Sequence, residues 1–391
     1  MLDPLTPTRV PIEAALAEEL HRLEERGLRR SLAGPLPAET INFSSNDYLG
    51  LATHPALSDA ACHALRTTTG AGSARLIGGD LAEHRALEDR VAEYKNTERA
   101  LLFSTGYQAN LGVLTALLSP GDAVYSDALN HASLIDGCRL SRAAIHVFPH
   151  ADPDALGRLL AEGSRYRRRL VVTDSVFGMD GDRAPLTALA RLARHHDAIL
   201  VVDEAHATGV CGPHGSGAVA EAGIAPDVQI ATFGKALGCF GAAALGSRVL
   251  IDYLTNRARS FVFTTALPPA ICAAARAALD VAASAEGDRL RERVQRNLAL
   301  LHAGLARLGR DGVPTGLPIV PLHLGSPEAA LAASAALLER GFFVQAIRPP
   351  TVPPGTSRLR ISLSARHEPE QLQRLLSALA EVLPPPRKDL P

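Results

Sequence analysis

The sequence predicts an α/β protein: a mainly parallel sheet between helices, followed by a smaller α+β unit. Two observations carry this. From about residue 100, short strand-like apolar runs alternate with stretches of helical period. Past residue 315 the order changes, and fewer, more alternating strands mix with two helical stretches. A parallel strand needs a crossover to reach its neighbour, and the intervening helices supply it.

Each element has its own signal. Ile12, Leu16, Leu20 and Leu23 repeat at helical spacing over 12–30, a stretch ending in Gly27-Leu-Arg-Arg. The polar, Pro-rich stretch 31–40 reads as a linker. Strands are expected at 100–103, 123–125, 145–148, 170–173, 198–202 and 229–232. Helices fall between them, including 108–118 and 186–196, where Leu186, Leu189, Ala190 and Ala193 share a face. Residues 266–310 read as long and helical, opened by Pro268-Pro269. Strands at 318–323, 342–347 and 358–363, with helices at 328–340 and 368–382, make the smaller unit. Pro384-Pro-Pro-Arg-Lys reads as a loose tail. The expected divisions are an N-terminal helical segment (1–45), a large α/β domain (46–280) and a small α+β domain (281–391).

Composition excludes several functions. The 391 residues are 47% hydrophobic and carry a formal net charge of −1, so no basic field is available for nucleic acid or an anionic membrane. The basic cluster 165–169 is short and reads as a solvated helix end. Five scattered cysteines without a C-x-x-C pair argue against a disulfide framework or structural zinc. The N-terminus has no signal-like pattern and no apolar run reaches spanning length, so a cytoplasmic location is expected.

Lysine is rare here. Of forty Lys and Arg residues, only Lys95, Lys235 and Lys388 are lysine. Lys95 lies in a polar stretch and Lys388 near the C-terminus, so both read as solvated. Lys235 interrupts the apolar run Val228-Gln-Ile-Ala-Thr-Phe-Gly-Lys-Ala-Leu-Gly238. Arginine keeps its proton in a protein, whereas a lysine amine can lose it and attack an aldehyde.

Open parallel sheets bind ligands at the carboxyl ends of their strands. Five expected strands deliver polar groups there: Ser104-Thr-Gly106-Tyr107, Asp127 with Asn130-His131, Asp174-Ser175, Asp203-Glu-Ala-His206, and Gly234-Lys235. Val201-Val-Asp-Glu-Ala-His206 also matches a helicase-type ATPase strand. That reading needs a G-x-x-x-x-G-K-[ST] loop, which the chain lacks. His206, Cys211 and His214 fit no familiar zinc spacing, and no metal is expected. His195-His196 lies late in a helix, where a cation suits the dipole.

Pyridoxal phosphate (PLP) fits what remains. It needs a lysine Schiff base, an acid for its pyridinium nitrogen and a cradle for its phosphate. Lys235 and Asp203 can be the first two. The helix opening at Gly106-Tyr107 suits a phosphate, Thr232 can add a hydroxyl, and His131 could stack on the ring.

At these residues the chain resembles the α-oxoamine synthases, PLP-dependent transferases of fold type I, the aspartate aminotransferase fold. The resemblance runs from about 12 to 382. It rests on Asn42-Phe-Ser-Ser-Asn-Asp-Tyr-Leu-Gly50, 79–88 with His84, 127–133, 172–182 with Met-Asp-Gly181, 202–209 and 232–238. It implies that Lys235 holds the cofactor and then serves as base, that Asp203 pairs with the pyridinium and that His131 stacks on the ring and meets substrate. It implies that His206 bonds the phenolic oxygen, that Gly106, Tyr107 and Thr232 hold the phosphate, and that Asp174 belongs to the cofactor-binding set. Thr264 or Thr265 would reach the phosphate of a neighbouring subunit, implying a homodimer. Arg348 would pair with the amino-acid carboxylate, with Arg29, Asn46 and Thr351 also near substrate. Two departures stand out: Gly178 replaces the usual Ser before Met-Asp-Gly181, and Ala74 interrupts the usual Gly-Ser-Arg.

The stretch Ala346-Ile-Arg-Pro-Pro-Thr-Val-Pro353, followed by Gly355-Thr-Ser-Arg-Leu-Arg360, is similar to one branch of that family. This branch joins L-alanine to a pimeloyl thioester in biotin biosynthesis, releasing carbon dioxide and coenzyme A or acyl carrier protein. The alternative is a glycine-using branch, as in the 2-amino-3-ketobutyrate ligases or 5-aminolevulinate synthases.

Overall fold

The computed structural model describes residues 12–32, 34–310 and 315–383. Lys388 and the Pro-rich tail lie outside them. A seven-stranded sheet forms the centre of the chain. Its strands are β2 (Arg99–Phe103), β3 (Ala123–Asp127), β4 (Ala144–Phe148), β5 (Arg169–Asp174), β6 (Ile199–Asp203), β7 (Val228–Thr232) and β8 (Ala242–Gly246). They lie in the order β2-β8-β7-β6-β5-β3-β4. Every pairing is parallel except the two made by β8, which runs against both β2 and β7. The expected mainly parallel sheet is present. β8 was not expected, because Ala242-Ala-Ala-Leu-Gly246 has no β-branched or aromatic residue to mark a strand.

Side chains alternate across the sheet, so successive strand residues join opposite cores. Leu170 and Val172 of β5 pack with Val113, Leu114 and Leu134 from the helices Gly106–Leu117 and Ala132–Ser141. Val171 faces the other way, toward Leu156, Leu160 and Leu189 from the helices Pro153–Glu162 and Leu186–His195. Truncating a side chain as buried as Leu114 typically costs about 2–5 kcal/mol.

The C-terminal unit is built on β9 (Ile319–Gly325), β11 (Gln345–Ile347) and β12 (Ser357–Ser362), an antiparallel sheet in the order β11-β12-β9. Residues 342–347 were expected as one strand but divide. β10 (Phe342–Phe343) pairs instead with β1 (Ile41–Asn42). Phe43 consequently packs among Leu322, Phe342 and Ile361 of this unit. The long helical stretch also breaks in two, Pro269–Ala282 and Ala285–Arg307. Ser284 caps the second helix, its Oγ accepting from Glu286 N at 3.1 Å. The first helix ends at Glu25 rather than at 30, and Gly27 follows it with a left-handed φ of 62°. Among the described residues no helix is long and apolar enough to cross a membrane.

Candidate active site

Parallel neighbours put their carboxyl ends on one rim, and five strands converge there. Asp174 at the end of β5 is in register with Asp203 at the end of β6. β3 ends at Asp127 and turns through Asn130 to His131, which caps the helix Ala132–Ser141. β7 runs through Thr232 into the turn that carries Lys235, and β2 runs through Ser104-Thr105 into the helix Gly106–Leu117.

Asp203 is buried without an ion-pair partner among the described residues. Its Oδ2 accepts from Asn110 Nδ2 at 2.6 Å and its Oδ1 from Ala205 N at 2.8 Å. Asn110 donates also to Ser133 Oγ at 2.9 Å, and that hydroxyl lies 2.7 Å from His131 Nδ1. Asp203 and His131 are thus joined through two side chains that the sequence did not single out. The signal for Asn110 was present: an amide one residue past Ala109 and three before Val113 sits on the apolar face of its helix. Buried polar groups rarely lack such a reason.

Ser133 N donates to His131 Nδ1 at 3.3 Å, which places the proton of the neutral ring on Nε2. Burial lowers the pKa of His131, and the Asp203 carboxylate partly opposes this. Asp174 is pushed well above the carboxylate range by burial and then by Asp203. Its Oδ2 accepts from His131 N at 2.7 Å, so Asp174 holds the loop that presents His131. Lys235 is half-buried, and its Nζ makes no hydrogen bond among the described residues. Burial lowers its pKa, opposed by Asp203 and Asp174 and assisted by Arg360.

His206 sits in a second cluster. Its Nδ1 lies 2.8 Å from Tyr48 Oη, and its pKa is driven well below normal by burial, then by Lys235 and Arg360. Arg360 donates to Gly178 O at 2.5 Å, Asn46 Oδ1 at 3.0 Å, Ser362 Oγ at 2.8 Å and Tyr48 Oη at 3.3 Å. The fit around Gly178 is close: a β-carbon there would stand 2.3 Å from His206 Nε2. Arg360 and Tyr48 lie within stretches quoted for the resemblance, but nothing in their spacing marked them as neighbours of His206.

The helix Gly106–Leu117 opens on Thr105, whose Oγ1 accepts from Gln108 N at 3.1 Å. A β-carbon at Gly106 would lie 2.8 Å from Thr232 Cγ2, so Thr232 stands directly against this helix start. Tyr107 is half exposed, and its hydroxyl donates to Asp136 at 2.5 Å. Thr264 and Thr265 line a small cavity together with Ser104 and Phe103.

The remaining expected residues spread outward. Arg348 is buried and donates through Nη1 to Gly27 O and to Arg29 O. Thr351 Oγ1 accepts from Arg30 at 2.9 Å, while the Arg29 side chain pairs with Glu24 at 2.6 Å on the exposed first helix. Asn46 is brought to the His206 cluster through Arg360 and Tyr48. One expectation is overturned: Lys95 is not solvated. Its side chain is wholly buried, 2.5 Å from Glu204 Oε2. Among the described residues no cluster of His, Cys, Asp and Glu is suited to a metal.

The model of the family "aminotransferase class I and II" matches residues 38–379. The 8-amino-7-oxononanoate synthase of Anaeromyxobacter dehalogenans is 53% identical over 389 residues, covering 96% of both chains. A serine palmitoyltransferase from S. paucimobilis, solved with bound PLP–myriocin, superposes with a TM-score of 0.88 at 30% identity. The match covers 96% of this chain and 98% of that one. The 8-amino-7-oxononanoate synthase of Francisella tularensis gives a TM-score of 0.74 at 29% identity, over 88% and 97%.

Proposed function

The chain belongs to the class I and II aminotransferase family, and from that premise we infer the reaction its site performs. It is a PLP-dependent acyltransferase that forms 8-amino-7-oxononanoate, the reaction named for its relatives and used in biotin biosynthesis. The substrates are L-alanine and a pimeloyl thioester of coenzyme A or acyl carrier protein. The glycine-using alternative has no comparable support. The observation that carries the reading is the Lys235 amine, without a hydrogen bond among the described residues and on the same rim as the buried Asp203 carboxylate.

The residues present fit PLP. Lys235 would hold it through its amine, and Asp203, which makes no ion pair among the described residues, would face the pyridinium nitrogen. The close approach of Thr232 to Gly106 forms a cradle at a helix N-terminus, suited to the phosphate. His206 would donate to the phenolic oxygen, His131 would lie on the ring, and Asp174 would hold the His131 loop. When bound, PLP supplies an electron sink for the pair left by a bond broken at the substrate α-carbon.

The chain's own groups do the rest. Lys235, its pKa lowered by burial, takes the α-proton of alanine as a neutral amine. His131, with its proton on Nε2, donates to the thioester carbonyl oxygen as negative charge develops there. The new carbon–carbon bond displaces the thiol carrier. The β-keto acid then loses carbon dioxide, and Lys235 returns a proton to the α-carbon. Arg348, whose Nε and Nη2 make no hydrogen bond among the described residues, pairs with the alanine carboxylate; Arg29, Asn46 and Thr351 approach the substrate.

The enzyme works as a cytoplasmic homodimer, with Thr264 or Thr265 reaching the neighbouring phosphate. The exposed apolar side chains of Ile77 and Phe263 suit burial against a second copy. The test is incubation with alanine or glycine and a panel of acyl thioesters, with products read by mass spectrometry. Alanine with pimeloyl thioester should give 8-amino-7-oxononanoate; product from glycine and a short acyl thioester alone would overturn the assignment.

A further inference from the structure

Lys95 and Glu204 bury an ion pair directly behind the site. Neither side chain has exposed surface. Lys95 caps the helix Ala82–Tyr94, and its ammonium uses all three donors: Glu204 Oε2 at 2.5 Å, Ser216 O at 2.7 Å and Thr208 Oγ1 at 3.2 Å. The other oxygen of Glu204 accepts from Val219 N at 2.8 Å. Both charges are therefore fully satisfied, the condition under which a buried pair persists.

Glu204 lies between the two groups that face the cofactor site. Asp203 and Glu204 leave the end of β6 in opposite directions, one toward Asn110 and the other toward Lys95. The main chain of Glu204 is equally committed. Its N–H donates to Ile230 O at 2.8 Å, and its carbonyl accepts from Ala207 N at 3.0 Å and Thr208 N at 2.8 Å. The turn that delivers His206 is pinned at Glu204 from both sides.

The site admits lysine and not arginine. A β-carbon at Gly217 would stand 2.5 Å from Lys95 Nζ and 2.5 Å from Glu204 Oε2. A compact ammonium fits three acceptors spread around one point, whereas a guanidinium is larger and planar. In a chain that uses arginine almost everywhere else, this explains a second lysine.

We propose that Lys95 and Glu204 are positioning residues for the PLP-dependent reaction: their ion pair, closed over by Gly217, sets the turn that aims Asp203 and His206 at the cofactor. This rests on the PLP reading above but not on the choice of acyl substrate. It is tested by PLP binding to the full-length protein and by pH titration of the bound cofactor's visible absorbance. In the double variant Lys95→Met/Glu204→Leu, which exchanges the pair for apolar side chains, the expected result is a folded protein. It binds PLP about tenfold more weakly or worse, with an absorbance midpoint moved by about half a pH unit or more. A folded double variant with wild-type affinity and midpoint overturns the proposal. If that variant does not fold, Thr208→Val decides. It removes one acceptor from Lys95 and should move the midpoint and weaken PLP binding about threefold, and unchanged values overturn the proposal. Wild-type protein that takes up no PLP would sink the proposed function itself, a result distinct from either.

Discussion

The hydroxyl of Tyr48 lies 2.8 Å from Nδ1 of His206, and both side chains are buried. This contact joins the loop after β1 to the turn after β6, and Arg360 secures it by donating to the same hydroxyl. It leaves Nε2 as the nitrogen of His206 that faces Gly178.

Tyr48→Phe removes the only side-chain partner of His206 among the described residues. Loss of a buried hydrogen bond costs about 1–3 kcal/mol. We expect weaker PLP binding with the fold intact, measured by titrating apoenzyme with PLP. Unchanged affinity would show that Tyr48 does not orient His206.

Lys235→Ala should abolish the visible absorbance of the bound cofactor while leaving the far-ultraviolet circular dichroism unchanged. The amine makes no hydrogen bond among the described residues, so its loss leaves no polar partner stranded. Retained absorbance would sink the assignment of Lys235. Lys95→Arg, by contrast, is expected to lower the melting temperature, because the pocket beside Gly217 has no room for a guanidinium.

Arg348, proposed to pair with the alanine carboxylate, and Arg360, beside His206, should separate in kinetics. Arg348→Lys, which loses the bidentate fork, is expected to raise KM for alanine about tenfold with little change in kcat. Arg360→Gln should move the acid limb of the rate profile to higher pH. The Arg360 cation helps lower the pKa of Lys235, so without it the amine is neutral only in more alkaline solution. A limb that stays in place would show that Lys235 is not the titrating base.

Gly178→Ser tests the close fit against His206. A side chain 2.3 Å from Nε2 must displace the imidazole or strain the loop, at a cost of about 1–3 kcal/mol. The expected result is a lower melting temperature of the apoprotein by calorimetry. A higher one would mean that the imidazole moves aside and the serine hydroxyl finds a partner.

His150 bridges two carboxylates, Asp127 at 2.9 Å and Asp182 at 2.6 Å, and hydrogen bonds to both raise its pKa from 6.5 to about 10. The folded protein therefore holds a proton that the unfolded chain releases near pH 6.5. This stabilisation is complete below pH 6.5 and is lost as pH rises through about 10. The melting-temperature difference between wild type and His150→Gln should be largest at neutral pH and below, and vanish above pH 10. A difference that grows with pH would contradict the bridge.

Much of this was legible in the sequence. The strands that end at Asp127, Asp174, Asp203 and Thr232 are apolar runs of strand length, and each polar group after them marked the same rim. What could not be read were partners far apart in the chain. Lys95 stands in Glu-Tyr-Lys-Asn-Thr-Glu, a polar string that looks solvated, and its acid comes from residue 204. Periodicity also fails where composition is flat. The alanines of β8 carry no strand signal, and Ser284, which splits the long helical stretch, is a cap that only its geometry reveals. His131 and Asp203 were each legible alone; their connection through Asn110 and Ser133 was not.

The antiparallel β8 has a consequence for synthesis. β2 touches no strand of the central sheet except β8, which lies far downstream. When Arg99-Ala-Leu-Leu-Phe103 leaves the ribosome, the strand that will receive it has not been made. Nascent chain up to β7 therefore carries an unpaired apolar strand, the kind of segment that draws aggregation and chaperones. The helix start at Gly106, proposed above to hold the cofactor phosphate, follows that strand, so competence to take up cofactor should come late, only after residue 246 has emerged.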